Sequence, residues 1–168
     1  MATVGLTTAA VTVPIAPTNS RWWHFADDVV GGNLNSQIGW PEMVKTVAAI
    51  RDSLPVKERS GLAILAADDS EVGAISLYGP AYALPPAISG SNSIWFRGYG
   101  DPPPEIVIAV GNDPKILFDN FETCTLAGHL HNRWGIRNNV FADYPGVFVC
   151  RHLRHSWPEF WKHFRYYG

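Results

Sequence analysis

Two continuous apolar runs constrain this chain more than anything else in it: GLAILAA at 61–67 and EIVIAV at 105–110. Each has the length of a strand and lacks the alternation of a half-exposed one, so each predicts a strand covered on both faces, as in a parallel sheet. Asp68, Asp69 and Ser70 follow the first run as helix-capping residues. The next eight, EVGAISLY, predict a short helix stopped by Gly79. A strand, a helix and a second buried strand are the parts of a β-α-β unit.

The connection between the two runs is long. Residues 78–111 place Pro80, Pro85, Pro86, Pro102, Pro103 and Pro104 around SGSNSIW. Proline fixes φ and removes a backbone donor, so this density predicts a stiff, ordered loop rather than ordinary helix or sheet. The interleaved Tyr, Trp and Ile oppose disorder, and ordered loops of this length are commonly functional. Residues 86–89, PAIS, suit a short strand within it.

Elsewhere, Trp40-Pro41 opens a helix whose Met43, Val47, Ile50 and Leu54 form one apolar stripe, ended by Pro55. Gly111 to Pro114 precede a helix over 115–121. Strands are expected over 123–131 and 147–150, separated by a polar loop, and a final helix over 157–167 carries Trp157, Phe160, Trp161 and Phe164 on one face. Residues 18–39 mix aromatics with turn formers and predict an irregular segment. Strands alternating with helices indicate an α/β fold, three-layered α/β/α, with a mainly parallel sheet and scope for an antiparallel C-terminal edge. The expected organisation is a single soluble domain over 21–168. Residues 1–20 form an apolar arm or the end of a truncated membrane span: residues 3–17 are uncharged, too short to cross a bilayer, and lack a signal peptide's basic start.

A chain of 168 residues, 46% hydrophobic, buries one good core, and its net charge of −2 gives no general attraction to nucleic acid. Charge is uneven: from His129 onward six Arg/Lys face two acids, about +4, leaving about −6 elsewhere. Such an end suits phosphates, an anionic membrane surface or simple solvation. Cys124 and Cys150 sit in strand-like runs, as a disulfide or as two buried thiols.

Few motifs carry chemistry. Asp68, Asp69 and Glu71 follow the first buried strand, where α/β ligands bind; they suit a divalent cation, acid–base work or plain helix capping. His129 and His131 share a strand face and would need His152 or His155 to hold zinc, without the spacing of a metal motif. Nucleophile-elbow, dinucleotide and phosphate-loop patterns are absent. The proline loop remains. Its Tyr78, Asn92, Ser93, Trp95 and Arg97, with Glu71, are the candidate ligand-binding residues, since ring faces beside amide and guanidinium groups suit a sugar or phospho-sugar.

Three segments together, LAADDSEVGAISLYG, LPPAISGSNSIW and DPPPEIVIAVG, resemble the soluble C-terminal domain of bacterial membrane glycosyltransferases of family 39, akin to dolichyl-phosphate-mannose protein mannosyltransferases and lipid A aminoarabinose transferases. WWHFADD, GWPEMV and WPEFW are similar too, so the resemblance runs over nearly the whole chain from Arg21. Glu71, Gly73 and Ala74 match one family motif while Asp68, Asp69 and Ser70 depart from it. Ser89, Gly90, Asn92, Ser93 and Trp95 match a second, and Ser91 and Ile94 depart. The resemblance implies a parent membrane enzyme that moves a sugar from a polyprenyl-phosphate carrier to an acceptor at the extracytoplasmic, periplasmic face. Its catalytic carboxylate would lie in a membrane region absent from this chain. This domain would then hold no cofactor, metal or catalytic residue of its own. Its partners would be the parent's membrane region and the polyprenyl-phosphate sugar or acceptor, with no nucleic acid. Two rivals stay open: a freestanding sugar-binding or envelope-interaction module, and a hydrolase using Asp68, Asp69 and Glu71.

Overall fold

The computed structural model describes residues 16–18 and 20–167. The expected arm or membrane-span end at residues 1–20 falls mostly outside them. No helix among the described residues is long and apolar enough to cross a membrane.

The fold is α/β, built on one five-stranded mixed sheet. In chain order the main elements are α1 (Arg21–Val29), α2 (Trp40–Ser53), α3 (Val56–Arg59), β1 (Leu62–Ala66), α4 (Asp69–Tyr78), β2 (Ala87–Ile88), β3 (Ile106–Val110), α5 (Pro114–Asn120), β4 (Phe121–His129), β5 (Gly146–Leu153) and α6 (Trp157–His163). The strand order is β2-β1-β3-β5-β4. β1 pairs parallel with β2 and β3, while β5 pairs antiparallel with β3 and β4. The antiparallel share is therefore larger than a mere edge. β3, α5 and β4 still form a crossover between strands of the same direction, and β5 fills the gap between them.

β1 and β3 are buried at every position, as their unbroken apolar sequences require. Alternate residues feed two cores. Ile64, Ile108 and Val149 pack with Val47 of α2 and Ile75 of α4. Leu65, Val107 and Cys150 pack with Leu117 of α5 and Phe160 of α6. Burying a Leu or Ile side chain contributes about 1.5–3 kcal/mol, so these two clusters dominate the stability of the fold.

The segment expected to be irregular contains α1. Ser20 caps it by accepting from the Trp23 N–H at 3.1 Å. Trp23 is buried and donates from its indole to Asn35 Oδ1, 2.9 Å away. Tertiary burial of Trp23 and Ala26 overrides the low helix propensity of an aromatic-rich stretch. The final helix ends at His163, and Phe164 to Tyr167 leave it as a separate strap. The proline loop is ordered by two 3-10 turns, Gly79–Tyr82 and Asn92–Arg97, on either side of β2.

On the sheet's outer strands, Cys124 and Cys150 stand directly opposite one another, with Cα atoms 4.1 Å apart, and form a disulfide. The histidines do not converge. His129 pairs with Gly146 at one end of the β4–β5 ladder, whereas His152 lies beside the Phe121–Leu153 pair at the other. No cluster of three or more potential metal ligands occurs among the described residues.

Candidate functional site

The chain leaves β1 through α4 toward β2 on one side, and leaves β3 through α5 toward the opposite side of the sheet. The two helices pack on different cores. The carboxyl ends of β1 and β3 therefore part where the connections diverge, which is where open α/β sheets form ligand crevices. A cavity of about 570 Å³ opens there, lined by Ala67 after β1 and by Gly111, Asn112 and Asp113 after β3. Phe160 and Phe164 supply ring faces, and Tyr144 and Tyr166 supply phenols.

Glu71 lies behind Gly111, which lines the crevice, and is fully buried without reaching the cavity itself. Asp68 and Glu71 form a reciprocal capping box at the start of α4. The backbone N–H groups of Ala67 and Asp68 donate to Glu71 Oε2 at 2.8 and 3.1 Å. Its other oxygen, Oε1, has no hydrogen-bond partner. A Cβ on Gly111 would stand 1.9 Å from that oxygen, so glycine is required for β3 to approach the carboxyl group. Burial pushes the Glu71 pKa from 4.5 up to about 8, against the two backbone donors that lower it. Burial thus favours the protonated form of Glu71.

The opposite lip is made by the strap. Tyr166 forms a parallel bridge with Ser91: its N–H donates to Gly90 O at 3.1 Å, and its carbonyl accepts from Asn92 N at 3.0 Å. A Cβ on Gly90 would meet the Phe164 carbonyl oxygen at 1.9 Å, so the strap lies directly on that glycine. The Tyr166 phenol bonds Ser91 and Ser89, and burial raises its pKa. Asn112 stitches the floor by donating to Leu65 O and Val110 O, at 2.8 and 2.9 Å. Asp113 accepts from Lys115 N at 2.8 Å and from the Tyr144 hydroxyl at 3.4 Å. The crevice thus offers aromatic walls, two phenols and the Asp113 carboxylate, a set suited to a hydroxylated ring.

No family model, curated protein or solved structure matches this chain.

The residues expected from sequence to bind ligand fall in several places. Glu71 is buried behind Gly111. Asn92 is on the adjoining rim, held in the left-handed region at φ 48° and donating to Asp69 at 3.3 Å. Ser93 is exposed on the turn that follows. Trp95 packs against α6 through reciprocal bonds: its indole donates to Trp161 O at 2.8 Å, and the Trp161 indole donates to Trp95 O at 3.1 Å. Arg97 lines a separate groove with Tyr99 and Pro102 to Pro104, at the amino ends of β1 and β3. Tyr78 lines a third depression with Trp40 and Leu77. Sequence reasoning missed Asn112, Tyr144 and Tyr166. The Asp68-x-x-Glu71 spacing was the available signal that Glu71 folds back onto the strand end, but nothing local connects residue 166 to residue 91.

Proposed function

We propose that this chain is an accessory extracytoplasmic domain of a polyprenyl-phosphate-sugar-dependent glycosyltransferase. It shapes the access of acceptor or carrier to an active site in a membrane region outside this chain, and does not itself catalyse transfer. The observation that carries this reading is the crevice between β1 and β3, whose Tyr144 and Tyr166 phenols, Asp113 carboxylate and phenylalanine ring faces suit the hydroxyls and apolar face of a sugar. The Cys124–Cys150 disulfide supports an oxidising compartment such as the periplasm. The two cores on alternate strand residues support a three-layer α/β/α arrangement. Because every wall of the crevice belongs to this chain, a freestanding sugar-binding module is the second reading.

Titration of the isotopically labelled chain with a hexose and a hexose 1-phosphate, followed by amide NMR, tests the crevice. Shifts are expected at Gly111, Asn112 and Tyr166, weakened about tenfold in affinity by Tyr166→Phe through loss of a hydrogen bond to ligand. Absence of shifts at these three with both sugars overturns the reading. Transfer by the intact parent enzyme carrying the same substitution separates the two roles: reduced transfer supports the accessory domain, and unchanged transfer leaves the freestanding module.

A further inference from the structure

On the face of the strap turned away from Ser91, Arg165 is held among three aromatic rings. Its guanidinium carbon lies 4.6 Å from the Trp95 ring centre, 4.7 Å from Phe96 and 4.9 Å from Tyr167. Trp95 is anchored to α6, but Phe96 and Tyr167 are 69% and 71% exposed, the highest values among the chain's described aromatic residues. Arg97, the next residue after Phe96, is exposed at the rim of the neighbouring groove. Neither Arg97 nor Arg165 has a carboxylate partner among the described residues. A monomeric protein gains nothing by holding two rings in water around an uncompensated cation.

We infer that this Phe96–Arg165–Tyr167 patch, with Arg97, docks onto an anionic lipid surface. Aromatic rings are favoured at the headgroup boundary, where an apolar face and a polar surrounding meet. Phosphate headgroups supply the anions that the two arginines lack. Arg165 Nε is buried without a hydrogen-bond partner, so a phosphate would be met by the terminal N–H groups while the guanidinium face rests on the rings. Arg165 also lines the crevice, but the inference rests on its contacts with the exposed Phe96 and Tyr167 rings and requires no sugar bound there.

Co-sedimentation of the full chain with vesicles tests it, using phosphatidylcholine alone and phosphatidylcholine with a quarter phosphatidylglycerol. Binding is expected on the anionic vesicles, at least about fivefold tighter than on the neutral ones and falling as salt rises. Phe96→Ser with Tyr167→Ser should weaken it about tenfold, as loss of two inserted rings. Arg97→Glu should weaken it at least as much, and keeps the test decisive if the double variant folds poorly, because Arg97 makes no ion pair to lose. Equal binding to both vesicle types, no binding to either, or binding unchanged in the variants overturns the inference. The last result would assign the affinity to the apolar residues 3–17. Loss of self-association in the variants, without vesicle binding by the parent chain, would make the patch a contact between copies and also overturn it.

Discussion

The two halves of the sheet solve different problems. The parallel half, β2-β1-β3, sends its connections apart at the carboxyl ends of β1 and β3 and leaves a crevice there, floored by the backbone of Ala67 and Gly111. The antiparallel half, β5-β4, returns through the loop after His129 and is tied across the middle by a disulfide. β4 is largely exposed, whereas β1 and β3 are wholly buried. Buried parallel strands gain cohesion from two cores and can tolerate an unsatisfied polar oxygen between them. β4, at the sheet edge, has less core, and a covalent bond ties it to the buried β5. The crevice therefore opens on the wholly buried parallel strands, and the exposed surface of the sheet is confined to its far edge.

The largest test of this contrast is Gly111→Ala. The new Cβ would collide with Glu71 Oε1 at a residue held at φ +70°, costing about 4 kcal/mol, read by urea denaturation. Adding Glu71→Ala should recover at least about 1 kcal/mol of that loss; purely additive effects would mean that the carboxyl group and the strand end are not in contact. Next comes the antiparallel half. Replacing both Cys124 and Cys150 with alanine should cost about 3 kcal/mol, and reductant should reproduce most of this in the parent chain. The crevice should keep its ligand response in that variant, since neither cysteine lines it; loss of both together would erase the distinction between the halves.

The effect that is smallest at any one pH step is a slope rather than a drop. Burial holds the folded pKa of Glu71 at about 8, above its unfolded 4.5, so the folded state keeps a proton that the unfolded chain releases. This contribution is fully present below about pH 4.5 and is lost as pH rises toward 8, by up to about 1.4 kcal/mol per pH unit. Glu71→Gln should flatten that slope, making the variant relatively more stable at pH 8 than at pH 5. An unchanged slope would show that Glu71 is ionised in the fold.

Much of the scaffold was legible in the sequence. The unbroken apolar runs of β1 and β3 announced strands with two covered faces, and Trp40-Pro41, Asp68 and Gly79 marked helix ends by local chemistry. The apolar stripe of α2 needed only its own periodicity. The site was less legible. Trp95 read as an open platform for a ligand, yet its bonds to Trp161 fasten it to α6. α1 escaped notice because its stability comes from Trp23 reaching Asn35 and the core beneath.

What the sequence determined by itself are the properties that depend on neighbours in the chain: which runs are buried, where helices begin, and that Asp68 and Glu71 can cap one. Tertiary structure alone decided that β3 meets Glu71 at a glycine, that Tyr166 returns to lie on Gly90 and Ser91, and that Cys124 faces Cys150. Each of these joins segments distant in the chain. Local propensity carries no record of such pairings; only the packing of the two cores brings them within contact.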